Sequence, residues 1–359
     1  MDKAYLVLSN GMVFEGKRFG AEGSTVGELV FTTGMCGYIE TLTDPSYAGQ
    51  IILQTFPLIG NYGMIETDFE GDCAARGYVV REWCEVPSNF RCQYDLDTYL
   101  KEKGICGIYG IDTRYITRVI REHGVMNAMI CSEIPADRKA LQAYQVKGVV
   151  AEVSCKKPQV YPSTAEATWY HVALLDYGAK KNIIRELCKR GCEVTVFPQD
   201  TSAEELLATH PDGIMLSNGP GDPEENVYCI EQLKKLLGKI PMFGICLGHQ
   251  LLALAHGGKT IKLKYGHRGV NQPVKEQNGT RTFITSQNHG YAVVGESLKG
   301  LGEISFVNAN DQTCEGMDYP NEQCFSVQFH PEACSGPKDT SFLFDRFIAM
   351  MGGKEHAQG

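Results

Sequence analysis

Nowhere among the 359 residues does an apolar run approach the ~20 needed to cross a bilayer, which argues against a membrane span. The opening, Met1-Asp2-Lys3-Ala4-Tyr5, also lacks a secretory signal pattern, because the apolar stretch from Tyr5 to Leu8 is too short for one, and a cytoplasmic chain is expected. Basic charge is in deficit: 34 lysines and arginines against 43 acidic residues leave a formal net charge of −9. Without a basic stripe to neutralise phosphates, nucleic acid is not an expected partner. The 14 cysteines, spread from Cys36 to Cys334, include no Cys-x-x-Cys pair and no matching histidine spacing. That spacing argues against a zinc or disulfide framework and fits free thiols in a reducing compartment. A phosphate-binding P-loop is missing too. Gly258-Lys259-Thr260 looks like the tail of one, but the glycine required five places upstream is Ala253, inside a predicted helix.

What is present is an ordinary globular composition, 43% hydrophobic and 21% charged, in a chain long enough for two domains. Residues 1–150 read as a smaller mixed α+β domain. Strand-like runs from Ala4 to Leu8 and Met12 to Gly16 flank Asn10-Gly11, a dipeptide that tolerates the positive φ of a type I′ hairpin. Glu28 to Phe31 and Gln50 to Phe56 are further strand signals, with the turn residues Asp44-Pro45-Ser46 between them. Leu96 to Lys103 and Thr113 to Glu122 read as helices, the second with Asp112 as its N-cap. Residues 151–170, aperiodic and punctuated by prolines, read as a linker.

Residues 171–354 alternate strand and helix. Val172 to Asp176, Glu193 to Phe197 and Gly213 to Leu216 are strand-like, and the intervening helices are predicted at Lys180 to Lys189, Ala203 to Thr209 and Glu224 to Leu237. Nearly all-apolar strands separated by helices imply an α/β fold, a mostly parallel doubly wound sheet with its site at the carboxyl ends of the strands. Beyond Gly258 the pattern becomes hairpin-like, from Gly266 to Val274 and from Phe283 to Val293.

Two stretches of this half carry chemistry. The apolar strand Pro241-Met242-Phe243 leads into Gly244-Ile245-Cys246-Leu247-Gly248 and then a Leu/Ala-rich helix stopped by Gly257-Gly258. Gly-x-Cys-x-Gly at a strand-to-helix turn is the cysteine form of a nucleophile elbow, where flanking glycines relieve crowding and the side chain is pushed outward. The helix start points N–H donors and a positive dipole end at the sulfur, which favours its nucleophilic form. Far downstream, Gln328-Phe329-His330-Pro331-Glu332 ends an alternating strand. At a period of two both His330 and Glu332 can share a face, so the carboxylate can hold the imidazole in its tautomer while the other ring nitrogen faces the sulfur. Cys246, His330 and Glu332 form a candidate catalytic triad.

Phe243 to Gln250 together with Gln328 to Glu332 resembles the class I, triad-type glutamine amidotransferases. Leu216-Ser217-Asn218-Gly219-Pro220-Gly221-Asp222-Pro223 is similar to the glycine-rich oxyanion loop of the same family. The resemblance implies glutamine as substrate, with Gly219, Gly221, Leu247 and Gln250 fixing it, and Asn288, Gly290 and Tyr291 of a Ser-Gln-Asn-His-Gly block lining its pocket. His289 is declined as a second base, since His330 already has a carboxylate; His249 and His267 read as hydrogen-bonded structural histidines. In the first domain, Gly37 to Tyr47, Pro57 to Gly63 and Gly110 to Arg118 resemble the N-terminal domain of carbamoyl phosphate synthetase small subunits. In that family the serine of the Asp-Pro-Ser turn reaches the glutamine site, which here is Ser46. The resemblance further implies a large ATP-dependent synthetase subunit as partner, docked on residues 1–150, no cofactor or metal on this chain, and ATP with its metal on the large subunit. A stand-alone γ-glutamyl hydrolase and a non-catalytic regulatory scaffold are the alternatives; the N-terminal blocks oppose the first, and the complete triad opposes the second.

Overall fold

The computed structural model describes residues 3–333 and 335–352, and the chain divides into two compact units, residues 1–149 and 150–359. In the first unit seven strands close into a barrel, in the order Lys3–Leu8, Val13–Gly20, Cys106–Tyr109, Gly77–Val79, Gln50–Gln54, Thr25–Thr32 and Met126–Cys131. Closure removes the free edges that an open sheet would expose. Thr25–Thr32, Gln50–Gln54, Gly77–Val79 and Cys106–Tyr109 run parallel to one another, while the remaining pairings are antiparallel. Val30, Ile52 and Tyr78 stand side by side in register and are wholly buried in one cluster.

The first two strands do form a hairpin, but not through a type I′ turn. Such a turn needs positive φ at both central residues, and Asn10 is not among the residues with positive φ, whereas Gly11 has φ 96°. Instead Asn10 Oδ1 accepts from the Met12 N–H at 3.1 Å, a side-chain bond that supports a wider loop. The helix Thr113–His123 begins as its cap dictates: Asp112 Oδ1 accepts from the Tyr115 N–H at 2.9 Å. Thr113, Ile116, Val119 and Ile120 form its buried stripe, spaced at three and four.

The second unit is built on a ten-stranded sheet. Five neighbouring strands, Cys192–Pro198, Tyr170–Asp176, Gly213–Leu216, Met242–Ile245 and Cys324–Val327, are parallel. Helices cover both faces. Leu251 and Leu252 of helix Leu247–Ala255 pack with Leu233 and Leu236 of helix Val227–Leu236 on one side. Ile183 and Leu187 of helix Lys181–Lys189 join Phe344 and Phe347 of helix Phe342–Met350 on the other.

The expectation of a mostly parallel sheet describes these five strands but not the whole, which is mixed. Cys314–Tyr319, Thr282–Val293, Thr260–Glu276 and Glu303–Asn308 extend it with antiparallel pairings. Their connections are four to nine residues long, too short for the crossover that a parallel neighbour requires. The segment read as a linker also contributes: Val149–Val153 is helical, and Gln159–Tyr161 adds an antiparallel edge strand to Cys192–Pro198.

Replacing Asp112 by Ala is expected to destabilise the start of its helix by about 1 kcal/mol. Native-state hydrogen exchange at Tyr115 should then quicken roughly fivefold; unchanged protection would show that the cap contributes nothing.

Candidate active site

The parallel strand Met242–Ile245 ends at a turn that no ordinary residue adopts freely: Cys246 has φ 53° and ψ −103°. Two glycines make room for it. A Cβ at Gly244 would lie 2.8 Å from the carbonyl carbon of Gly248, and one at Gly248 would lie 2.7 Å from Leu216 Cβ. Hydrogen bonds then fasten the turn to both neighbouring strands, with the Cys246 N–H donating to Val327 O at 2.9 Å and the Gly248 N–H to Ser217 O at 3.0 Å. The helix Leu247–Ala255 follows immediately, so the sulfur sits at its first turn, where backbone N–H groups lack helical acceptors.

Cys324–Val327 lies beside the elbow strand in parallel register, and the chain just beyond it carries His330 and Glu332, both buried. His330 Nδ1–H donates to Glu332 Oε1 at 2.6 Å, which leaves Nε2 as the nitrogen available for proton exchange. Nε2 has no partner at hydrogen-bond distance among the described residues, but the Cys246 side chain lies near enough to favour the protonated ring. Burial and the Lys180 ammonium disfavour the imidazolium. The Glu332 carboxylate and the contacts with Cys246 and Glu332 outweigh them, raising the pKa of His330 to about 9. Burial would likewise push the Glu332 carboxyl up, but the charges of His330 and Lys180 hold it below its usual range.

Lys180 and Asn182 are site residues that sequence reasoning missed. Lys180 Nζ lies 3.6 Å from Glu332 Oε1, and its N–H donates to Asn218 Oδ1 at 3.0 Å at the start of helix Lys181–Lys189. Asn182 Nδ2 donates to the Glu332 backbone carbonyl. Their one signal was position: both follow the strand Tyr170–Asp176 at its carboxyl end, where α/β sheets gather their sites.

The remaining second-unit candidates lie in the Gly219–Gly221 loop, on the elbow helix or on the strand Thr282–Val293. A Cβ on Gly219 would come within 2.8 Å of Leu247 Cδ2, so only glycine lets the Gly219-Pro220-Gly221 loop lie against the elbow; Gly221 has φ 85°. From the antiparallel extension, the Asn288 carbonyl accepts from Cys246 Sγ at 3.7 Å, and the Ser286 carbonyl accepts from the His330 N–H at 2.9 Å. Gln250 Nε2 is shared between Tyr291 O and Gln328 Oε1, each at 2.9 Å, which ties the elbow helix to that extension. Gly290 directly precedes Tyr291 on the same strand, Thr282–Val293. Ser46 belongs to the first unit, in the 3₁₀ turn Pro45–Tyr47, where its N–H donates to Asp44 Oδ1 at 2.9 Å.

Of the histidines set aside, His249 is wholly buried on the elbow helix with Nδ1 2.8 Å from Ser326 Oγ, and burial lowers its pKa to about 3. Burial first, then neighbouring positive charge, drives His289 well below its ordinary value.

A thiol at a strained elbow, an imidazole beside it and a carboxylate behind the imidazole are the groups that cysteine-dependent acyl transfer requires. Residues 173–350 match the glutamine amidotransferase class-I family, and residues 6–130 match the carbamoyl-phosphate synthase small chain, CPSase domain. Similarity extends over the whole length. The carbamoyl phosphate synthase small chain of Listeria monocytogenes serotype 4b (strain F2365) is 50% identical over 366 residues, covering 100% of this chain and 99% of that one. That of Clostridium perfringens (strain 13 / Type A) is 51% identical over 350 residues, covering 96% and 99%, and that of Bacillus caldolyticus is 49% identical over 355 residues, covering 97% and 96%. The chain belongs to the carbamoyl phosphate synthase small chain family.

Replacing Glu332 by Gln keeps the shape but removes the charge that favours the imidazolium. The pKa of His330, followed by NMR of ring-labelled histidine, is expected to fall from about 9. An unchanged titration would mean that Glu332 does not set the proton affinity of His330. The contribution of His330 to stability is complete below its unfolded value of ~6.5 and is lost as pH rises through about 9.

Proposed function

We propose that this chain, the glutaminase small subunit of carbamoyl phosphate synthase, splits glutamine at Cys246 and hands the ammonia to a large, ATP-dependent subunit. The observation that carries the reading is the thiol held on a positive-φ elbow beside an imidazole that a buried carboxylate orients. The Cys246 thiolate attacks the side-chain amide carbon of glutamine, and the resulting oxyanion is stabilised by the Leu247 N–H and the backbone of the Gly219–Gly221 loop. The imidazolium of His330 gives its Nε2 proton to the departing nitrogen, so ammonia leaves and a γ-glutamyl thioester remains. Water then loses a proton to the same nitrogen as it attacks the thioester, releasing glutamate and restoring the thiolate–imidazolium pair. Gln250, Asn288, Gly290 and Tyr291 fix the substrate. Lys180 keeps Glu332 ionised in its dry setting.

Ammonia released into water at neutral pH is protonated and no longer nucleophilic, so an acceptor must lie close by. The large subunit supplies it, making carbamoyl phosphate from bicarbonate and two ATP for arginine and pyrimidine synthesis, with ATP and its metal bound there and no cofactor on this chain. Residues 1–150 dock that subunit. The complex is cytoplasmic; among the described residues no helix is long and apolar enough to cross a membrane.

Cys246→Ser should abolish glutamine-dependent carbamoyl phosphate synthesis by the reconstituted complex while ammonia-dependent synthesis persists. Glutamine-dependent synthesis surviving in that variant would remove Cys246 from the mechanism.

A further inference from the structure

Away from the sulfur, three side chains from three strands meet inside the antiparallel extension. His267 lies on Thr260–Glu276, His289 opposite it in register on Thr282–Val293, and Glu315 on Cys314–Tyr319. One donor atom from each falls within a group whose members all lie within 4.8 Å of one another. His267 Nδ1 and Glu315 Oε1 are 3.4 Å apart, close to the roughly 3.3 Å edge between ligands of a tetrahedral ion with bonds of about 2.0–2.1 Å.

The outer atoms are all held. His267 Nε2–H donates to Asp311 Oδ2 at 2.8 Å, and His289 Nδ1–H donates to Tyr291 O at 2.8 Å. Glu315 Oε2 accepts from Gln287 Nε2 at 3.1 Å, while the inward oxygen, Oε1, is positioned by Asn308 Nδ2 at 3.3 Å and Thr313 Oγ1 at 3.4 Å. Each histidine thus has one nitrogen oriented by an acceptor behind it and the other turned inward, the arrangement by which proteins aim metal ligands. The inner atoms are left poorly matched. His267 Nδ1 is buried without a conventional hydrogen bond, and His289 Nε2 faces Gln287 Oε1 at 3.1 Å. Both nitrogens of His289 therefore face carbonyl oxygens, Tyr291 O and Gln287 Oε1, whereas a neutral imidazole has a single hydrogen to give.

We propose that His267, His289 and Glu315 bind one divalent transition-metal ion of the zinc class, which staples three strands of the antiparallel extension to one another. An ion there satisfies both inward nitrogens, and its charge is balanced by Glu315 and by Asp311 behind His267. The staple falls where the ladder is thinnest: Thr282–Val293 and Cys314–Tyr319 share a single registered pair, Val293 with Cys314. It would stiffen the strand that brings the Ser286 and Asn288 carbonyls to His330 and Cys246. No linear motif announces it, because each strand supplies one ligand. Protons compete for the site. A histidine must be deprotonated at the ligating nitrogen to bind, so affinity rises with pH.

The full-length protein, stripped with a chelator, is titrated with cobalt(II) and then zinc(II). One equivalent of cobalt is expected to give visible d–d bands without thiolate charge transfer, to be displaced by zinc, and to raise Tm. Glu315→Gln and His267→Asn should each weaken binding at least tenfold and abolish the Tm rise, while Cys246→Ser leaves both intact. Asp311→Asn, at a side chain 45% exposed, leaves the three ligands in place and should weaken binding several-fold even if a core variant misfolds. Wild-type binding in the folded Glu315 and Asp311 variants, a thiolate band, loss of binding in Cys246→Ser, or no stoichiometric binding would each overturn the proposal.

Discussion

One backbone conformation, φ 53° and ψ −103° at Cys246, is what the second unit is arranged to hold. A non-glycine residue in so sparsely populated a region costs on the order of 1–3 kcal/mol, and it persists only where its surroundings leave no alternative. Here the constraint comes from three directions. The Val327 and Ser217 carbonyls fix the amides of Cys246 and Gly248, the missing side chains of Gly244 and Gly248 let the helix fold back onto the strand, and Leu251 and Leu252 anchor that helix in the core. Each buried leucine contributes about 1.5–3 kcal/mol, so packing along a single helix exceeds the strain. The strain places the sulfur at a helix start rather than in a strand.

The second dependence is electrostatic. His330 and Glu332 are buried, and charges in such a place survive only in one another's company. Removing one partner of such a pair typically costs ~3–5 kcal/mol, because the other charge is stranded. Lys180 comes to the Glu332 carboxylate, and the Asn182 amide to its backbone carbonyl, from a different strand end, so the residue is held at both its side chain and its main chain. The same dryness that makes the arrangement expensive makes it effective, since fixed charges act more strongly where water is scarce.

The antiparallel extension completes the site rather than decorating it. Its strand Thr282–Val293 supplies the carbonyl that receives the Cys246 thiol and the one that receives the His330 amide, and Gln250 clamps the elbow helix to its end. Thiol, imidazole and the wall facing them thus come from three parts of one sheet, and their relative positions depend on strand register.

The chain's own order of residues determined whatever is local. Glycines two places either side of Cys246, a histidine and a carboxylate two apart, Asp112 ahead of an apolar helical stripe and apolar strands alternating with helices are readable because backbone sterics, caps and side-chain period act within a few residues. Tertiary structure alone decided the rest. Barrel closure in the first unit rests on strands as short as Gly77–Val79, too short to show a period. Lys180 and Asn182 meet Glu332 across some 150 positions of chain, and His267, His289 and Glu315 meet only because three strands pair in one particular register. Such meetings depend on which strands become neighbours, a choice made by burial summed over the whole unit, and no window of sequence contains it.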